Sequence, residues 1–383
     1  MKILMLCYEY PPIGGGGAKV VQGLCDELTW QGHNVDLVTM SYKNLPLHEK
    51  INNYNIYRIK CLRLKSNICT PLEMITYIFS ALPLLIKLCL KNKYEINHTH
   101  FIFPDGILAY IIKKLTSLNY VITAHGSDVP GYNPDRFRIL HKFLKPFWRI
   151  ITRNSKTLIV PSKNLDSLVR KTDEKINTAI IPNGINLNKF SASEKRESKI
   201  LLVTRMFERK GVQYFIKAIS DFNNGYSVNI VGEGPYLETL KQISAKINTR
   251  VNFLGYLDNS SNELRKLYES SKIFVFTSEA ENFPVVLLEA MISGLAIITT
   301  NDTGCAEVVG DTAILVKSRD SSAIKDALSK LIDDPVLCSK LGKAARQRVE
   351  KFFGWNTIGS SHITLYSQLL NNKPSVFREV ISA

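Results

Sequence analysis

Several common ligand motifs are missing from this 383-residue sequence. Its seven cysteines form no C-x-x-C pair, so we expect reduced core thiols in a cytosolic protein. No D-x-D occurs, which leaves a Mg²⁺ or Mn²⁺ site without its usual carboxylates, and no metal or other cofactor is expected. The glycines at 14–17 lack the G-x-G-x-x-G spacing, which disfavours an NAD-dependent oxidoreductase.

Long hydrophobic runs are also scarce. The first apolar run is too short for a secretory signal. The longest, residues 74–90, contains Pro83 and Lys87 and is slightly short for a membrane span, so it predicts a helix packed on a sheet. Low-complexity tracts and solenoid repeats are absent, and the chain length predicts two domains.

What the sequence has is positive charge, unevenly placed. The net charge is +15, and residues 1–190 hold 25 Lys and Arg against 13 Asp and Glu. This balance indicates an anionic partner in the first half, such as a phosphate ligand or an acidic membrane surface. Arginines interleaved with base-stacking aromatics in an RNA-binding motif are not evident, so no nucleic-acid partner is expected.

Short apolar runs alternate with helical patterns along the chain, which predicts parallel sheets covered by helices. The polar stretch 184–199 interrupts this alternation and is predicted to be a linker. We therefore predict an α/β protein with two doubly wound, Rossmann-like domains, 1–183 and 200–353, followed by a C-terminal segment 354–383. A ligand should lie between the domains, at the C-terminal ends of the strands.

Candidate ligand-binding residues lie at or just beyond the ends of predicted strands. Gly15 and Gly16 lie between a strand and a helix, where the backbone can approach an anion. His125 ends a predicted strand, 120–125, and Arg205 ends another, 200–205. Lys210 and Gly211 open a predicted helix, so Arg205 and Lys210 together suit a pyrophosphate.

The stretch 278–290 carries three carboxylates beside an apolar run. Pro284 favours a helix start there, which places Glu281 in the preceding loop and Glu289 within the helix. A carboxylate in so apolar a helix needs hydrogen-bond donors, which sugar hydroxyls or an internal salt bridge would supply. Glu279 is predicted to be solvated.

At this point the chain resembles a known family. The segment E-N-F-P-x-x-L-L-E-A-M is similar to the glutamate-x7-glutamate motif of the GT4 glycosyltransferases, which have the GT-B fold. The motifs AHGSD, IPNGIN, RMFERKG, IVGEGP and FLGYL stand in the family's order, and residues 352–370 resemble its closing helix, which returns to the first domain.

The resemblance implies roles for individual residues. Arg205 and Lys210 would hold the donor diphosphate, and Gly15 and Gly16 would close over it. His125 would lie by the transferred sugar. The other implied contacts are Glu281 and the backbone of Asn282, Phe283, Pro284 and Val285 to the sugar, and Glu289 to the ribose. Pro284 departs from the glycine common in relatives and offers no N–H.

The implied activity is a retaining, metal-independent transfer of a sugar from a nucleotide diphosphate sugar, commonly a UDP-sugar. The acceptor would be a glycan or lipid-linked glycan in capsule or lipopolysaccharide synthesis. A nucleotide-sugar epimerase and a non-catalytic basic membrane-binding protein remain as alternatives.

The segment 136–156 interleaves cations with apolar residues at helical spacing: Arg136, Arg138, Lys142, Lys145, Arg149 and Arg153. This pattern is typical of an interfacial helix, which Pro146 should kink or split. It predicts peripheral attachment to the inner, cytoplasmic face of the plasma membrane.

Overall fold

The computed structural model describes residues 1–132, 138–191, 196–222 and 225–371, with residues 138–142 described by their backbone alone. The chain divides into two units: residues 1–184 with the segment from Trp355 onward, and residues 185–354. Each unit has its own sheet and its own buried apolar cluster.

Unit 1 alternates strands and helices. Its elements up to residue 184 are β1 (Lys2–Leu6), α1 (Gly16–Trp30), β2 (Asn34–Met40), β3 (His48–Ile51), β4 (Tyr54–Ile59), α2 (Pro71–Lys91), β5 (Ile96–His100), α3 (Asp105–Thr116), β6 (Tyr120–Thr123), α4 (Arg138–Asn154), β7 (Leu158–Val160), α5 (Lys163–Thr172) and β8 (Thr178–Ile180).

The strand order of unit 1 is β3-β4-β2-β1-β5-β6-β7-β8. The strands β3 and β4 pair antiparallel, and the other neighbours pair parallel. Residues 3–6 of β1 are fully buried, as expected of a strand whose two faces are both covered by helices. The order reverses between β1 and β5, and at such a switch point a crevice opens beyond the strands' carboxyl ends.

Unit 2 repeats the pattern. Its elements are β9 (Lys199–Val203), α6 (Val212–Ala218), β10 (Ser227–Val231), α7 (Leu237–Ser244), β11 (Val251–Phe253), α8 (Asn262–Ser270), β12 (Ile273–Phe276), α9 (Val285–Ile292), β13 (Ala296–Thr300), α10 (Cys305–Val309), β14 (Ile314–Val316), α11 (Ser321–Asp333) and α12 (Pro335–Phe352).

All strand pairs of unit 2 are parallel, in the order β11-β10-β9-β12-β13-β14. This is the doubly wound order of a mononucleotide-binding sheet, with its switch point between β9 and β12. The two Rossmann-like sheets confirm the predicted fold class at the level of each unit.

The last described helix, α13 (Trp355–Leu370), belongs to unit 1 and packs against α1. The fit depends on two glycines, because a Cβ on Gly23 would lie 2.3 Å from the Trp355 ring and one on Gly359 would lie 2.4 Å from Cγ of Glu27. The chain thus returns to the first unit after completing the second.

Several predicted boundaries differ from the structure. The hairpin β3–β4 was not predicted, because β3 is a polar edge strand; its turn residues, Asn52 and Asn53, adopt positive φ and suit a two-residue hairpin. The strands β6 and β9 each end two residues earlier than predicted, so His125 and Arg205 lie in loops. Pro146 does not split α4, which is continuous.

Candidate active site

The loops that follow β9 and β12 are tied together at the switch point of unit 2. Thr277 donates its hydroxyl to the carbonyl of Gly211 at 3.1 Å, and Glu279 N–H donates to the carbonyl of Arg209 at 2.9 Å. Gly211 has a φ of +69°, and a Cβ there would lie 2.1 Å from the backbone carbonyl oxygen of Thr277. Only glycine allows this approach, which fixes the Arg205–Lys210 loop against the loop that carries Glu281.

Arg205 and Lys210 occupy one loop but different surroundings. Arg205 is exposed, and its guanidinium lies over the Phe207 ring, 5.5 Å from its centre. Lys210 ends a single 3-10 turn, Glu208–Lys210, and α6 begins at Val212, two residues later than Lys210 itself. The predicted helix start at Lys210 is therefore displaced, while both cations do lie beyond the carboxyl end of β9.

Lys210 and Glu281 form an ion pair, a contact that the sequence did not predict. Their side chains are 10% and 11% exposed, so the two charges are shielded from water. Each side chain offsets part of the other's desolvation cost, because an isolated buried charge is costly. A diphosphate arriving at Lys210 and a sugar hydroxyl arriving at Glu281 would meet one coupled pair of charges.

Residues 281–284 form a buried turn that leads into α9. Asn282, Phe283 and Pro284 are buried, and Pro284 is the N-cap residue, so the helix begins at Val285, one residue later than predicted. Gly304 donates its N–H to the backbone carbonyl of Glu281 at 3.0 Å. A Cβ on Gly304 would lie 1.8 Å from the backbone carbonyl oxygen of Asn282. The turn is thus held against the loop that follows β13.

Glu289 lies on the buried side of α9. One carboxylate oxygen accepts from Lys189 Nζ at 2.8 Å, and the other accepts from Tyr268 at 3.2 Å. Lys189 also contacts Asn259. The salt bridge that the sequence left open is therefore present, and because a carboxylate can accept about four hydrogen bonds, the same oxygens retain capacity for ribose hydroxyls.

The prediction that Glu279 is solvated is wrong. Its carboxylate accepts two hydrogen bonds from the guanidinium of Arg319, at 2.6 and 2.8 Å, and its side chain is 12% exposed. Both hydrogen bonds end on one oxygen, Oε2, and this ion pair links the loop after β12 to the residues that follow β14.

In unit 1, the glycine loop follows β1 at the other switch point. The helix α1 begins at Gly16, and Gly15 is its N-cap residue. A Cβ on either glycine would meet no atom within 4 Å, so the space above them is open. Since the first N–H groups of a helix have no intrahelical acceptor, this open end suits an anion.

His125 is held in its loop by Asp128. One oxygen of this carboxylate accepts from the backbone N–H groups of His125 and Gly126, both at 3.0 Å, and the other accepts from Ile102 N–H. Gly126 has a φ of +109°, which favours glycine at this turn. Burial lowers the pKa of His125 to about 4, so the imidazole is neutral near pH 7.

Two aromatic neighbours complete the surroundings of His125. Its ring lies 4.4 Å from the Phe101 ring, and its Nε2 is 3.1 Å from Nδ1 of His100. Gly17 faces the same ring, because a Cβ there would lie 3.4 Å from His125 Nδ1. The sequence did not single out His100 or Gly17, although an H-x-H pair at the end of a strand was a visible signal.

The predicted residues therefore form two groups, one in each unit. In unit 2 they provide cations, carboxylates and a helix start, which suit the phosphate, ribose and sugar of a nucleotide sugar. In unit 1 they provide an open helix N-terminus and a neutral imidazole. Within the part of the chain that the structure describes, no three His, Cys, Asp or Glu side chains are grouped as metal ligands.

Comparison with known proteins supplies the class. A family model described as Glycosyltransferase Family 4 matches residues 14–189, and another, Glycosyl transferases group 1, matches residues 185–348. An uncharacterized glycosyltransferase of Methanocaldococcus jannaschii is 27% identical over 96% of this chain and 98% of its own length. The N-acetyl-alpha-D-glucosaminyl L-malate synthase of Bacillus anthracis is 26% identical over 97% of this chain and 98% of its own.

A third relative has a more informative name. The UDP-Gal:alpha-D-GlcNAc-diphosphoundecaprenol alpha-1,3-galactosyltransferase of Escherichia coli is 26% identical over 70% of this chain and 74% of its own length.

Solved structures agree on the fold. Sucrose-phosphate synthase from Thermosynechococcus elongatus has a TM-score of 0.85 at 22% identity, covering 97% of this chain and all of that one. HepE of Anabaena in complex with UDP-glucose has a TM-score of 0.72 at 18% identity, covering 96% of this chain.

The architecture is thus that of the GT-B glycosyltransferases, which confirms the predicted fold. The chain belongs to glycosyltransferase family 4, and it is an enzyme that transfers a sugar.

Proposed function

We propose that this enzyme transfers a sugar from a nucleotide diphosphate sugar, a UDP-sugar, to a glycan or lipid-linked glycan in cell-surface polysaccharide synthesis, with retention of anomeric configuration. The observation that carries the proposal is the Lys210–Glu281 pair, which joins the loop after β9, where Arg205 also lies, to the loop after β12. Cations placed where a diphosphate leaves are the largest single source of rate enhancement in such a site.

Each unit 2 residue has a role in this proposal. Arg205 binds the diphosphate through its planar fork, and Lys210 acts as a point charge. Glu281 accepts hydrogen bonds from sugar hydroxyls, together with the backbone at 282–285. Glu289, held in place by Lys189 and Tyr268, accepts from the ribose hydroxyls.

The bond changes follow from retention. The bond between the anomeric carbon and the diphosphate oxygen breaks, and its electron pair stays on the phosphate. The acceptor hydroxyl oxygen bonds to the anomeric carbon from the same face, and its proton passes to the departing phosphate oxygen. Arg205 and Lys210 stabilise the negative charge on the diphosphate, so no metal ion is needed in this scheme. His125 and the open N-terminus of α1, at Gly15 and Gly16, contact the sugar and the phosphate.

Two relatives support the choice of substrates. HepE was solved in complex with UDP-glucose, and the Escherichia coli relative is named for a UDP-Gal donor and a diphosphoundecaprenol acceptor. A UDP-sugar donor and a lipid-linked glycan acceptor extend these two descriptions to this chain.

A panel of nucleotide sugars tests the donor by thermal shift. A ligand present at 100 times its Kd stabilises the protein by roughly 2.7 kcal/mol. We expect UDP-sugars to raise the Tm of the wild type and to raise it less in Glu289→Gln. Stabilisation by ADP- or GDP-sugars alone would contradict the proposed donor. A product released without any acceptor would indicate an epimerase instead.

We further propose that unit 1 attaches the enzyme to the inner face of the plasma membrane through α4. Phe143, Phe147 and Ile150 follow one another at helical spacing and are 72%, 60% and 44% exposed, whereas Trp148 and Ile151 are buried. An exposed apolar stripe on a helix that also carries Lys145 is the mixture expected of an interfacial helix. Arg136 and the side chains of Arg138 and Lys142 lie outside the described residues.

The helix α2 supports the same surface. It packs through residues such as Tyr77, Ala81 and Leu85, and α3 contacts both α2 and α4. By length and composition alone, α2 is long and apolar enough to cross a membrane, a property that it shares with core helices of soluble proteins. Its outward side exposes Ile75 and Phe79, so apolar side chains flank α3 on both sides.

Vesicle sedimentation tests this attachment. We expect binding to anionic vesicles at low salt, and a loss of at least several-fold in Phe143→Ser/Phe147→Ser. The matched control is Val336→Ser, an equally exposed apolar residue of unit 2 at 79% exposure. Equal binding to neutral and anionic vesicles would contradict an electrostatic contribution to membrane binding. Unchanged binding of the double variant would show that α4 is not the membrane-binding surface.

A further inference from the structure

The histidines of unit 1 form a buried chain behind His125. His98 and His100 lie in β5, which ends at His100; their ring centres are 4.3 Å apart, and both are fully buried. His98 has a partner on each ring nitrogen, Tyr366 at 2.5 Å and Thr123 at 2.7 Å. His100 has one such partner, His125, and its Nε2 is buried without a hydrogen bond.

In the contact between His100 Nδ1 and His125 Nε2, one nitrogen carries a proton and donates it, and the other accepts. Burial lowers the pKa of both imidazoles, so both are neutral, and one must donate to the other. If His125 donated, His100 would carry its own proton on Nε2, as a buried N–H with no acceptor. If His100 donates, its Nε2 holds only an unused lone pair.

Buried N–H groups without an acceptor are rarer in proteins than acceptors without a donor. The arrangement in which His100 donates is therefore favoured. It leaves His125 with its proton on Nδ1, the nitrogen that faces Gly17 near the start of α1. His125 then offers a hydrogen-bond donor, with no positive charge, toward the glycine loop.

We propose that His100 is a positioning residue, whose Nδ1–H donates to His125 Nε2 and holds His125 in the tautomer protonated on Nδ1. That tautomer donates to an oxygen of the bound donor sugar or its phosphate. This second step rests on the function proposed above, while the tautomer itself does not.

The tautomer can be read directly from the full-length protein, labelled with ¹⁵N in its histidine rings, because two-bond ¹H–¹⁵N correlations distinguish the two forms. The signals of His125 are identified by their loss in His125→Asn. We expect the Nδ1-protonated form for both His100 and His125. A proton on Nε2 of His125 would overturn the proposal.

Two variants at His100 separate positioning from packing. His100→Asn keeps a donor close to the place of Nδ1, whereas His100→Phe fills the space and donates nothing. We expect His100→Phe to lower kcat roughly ten- to a hundredfold, as is typical for residues that orient a functional imidazole, with little change in donor KM. His100→Asn should restore most of kcat.

Equal losses in both variants would overturn the positioning role. If His100→Phe does not fold, the wild-type spectrum and His100→Asn still decide the question. Normal transfer by His125→Asn would refute the role proposed for His125 in the reaction, and would leave the assigned tautomer intact.

Discussion

Replacing Lys210 with methionine removes the cation that faces Glu281 and keeps a side chain of similar length. Glu281 would remain as a carboxylate that is 11% exposed and has lost its charged partner. Breaking a buried ion pair from one side typically costs about 3–5 kcal/mol. For a unit of this size each kcal/mol lowers Tm by about 2–4 °C, so we expect Lys210→Met to unfold roughly 6–20 °C below the wild type.

The double variant Lys210→Met/Glu281→Gln decides what the pair does. With both charges removed, no unpaired charge remains, and stability should return to within about 1 kcal/mol of the wild type. Activity should not return, because the loss of one preorganised charge costs on the order of 10²–10³ in rate. Stability and activity are thus expected to separate in a single set of proteins.

Thermal unfolding followed by circular dichroism, together with initial rates of sugar transfer, measures both quantities. A matched control is Lys241→Met, which breaks an exposed pair with Glu238 and should change stability by under about 1 kcal/mol. If the two single-variant effects simply add in the double variant, the pair is not coupled. If the double variant regains full activity, neither residue acts on the donor.

Three further predictions concern the same unit. Arg205→Ala should lower the transfer rate on the order of 10²–10³ with little change in Tm, because Arg205 is exposed; a normal rate would remove it from the mechanism. Gly304→Ala should abolish activity, since a Cβ would lie 1.8 Å from the backbone carbonyl oxygen of Asn282 and must displace the turn at residues 281–284. In the control Gly16→Ala, the added Cβ meets no atom within 4 Å, and the Tm should be unchanged. Transfer should survive EDTA, since the sequence offers no D-x-D pair, and complete loss that Mn²⁺ restores would contradict this.

Much of the architecture could be predicted from local pattern. The alternation of short apolar runs with helical patterns predicted the α/β units, and α13 (Trp355–Leu370) lies within the segment 352–370 that resembles the family's closing helix. The hairpin β3–β4 was not predicted, because its first strand is a polar edge strand with little core-facing surface. The strand ends were predicted two residues too late at His125 and Arg205, because backbone hydrogen bonds to the neighbouring strand segment continue one residue past each strand, at Ala124 and Thr204.

The sequence alone determined the chemical types at the site. Glycines, cations and carboxylates stand directly after strands, and parallel strands always bring such residues to one edge of a sheet. What only the tertiary structure decided is how they pair. Lys210 meets Glu281 across 71 residues, Lys189 meets Glu289 across 100, and Tyr366 reaches His98 across 268. No period or spacing encodes such contacts, since each depends on strand order and on the burial that makes an unpaired charge or polar group costly.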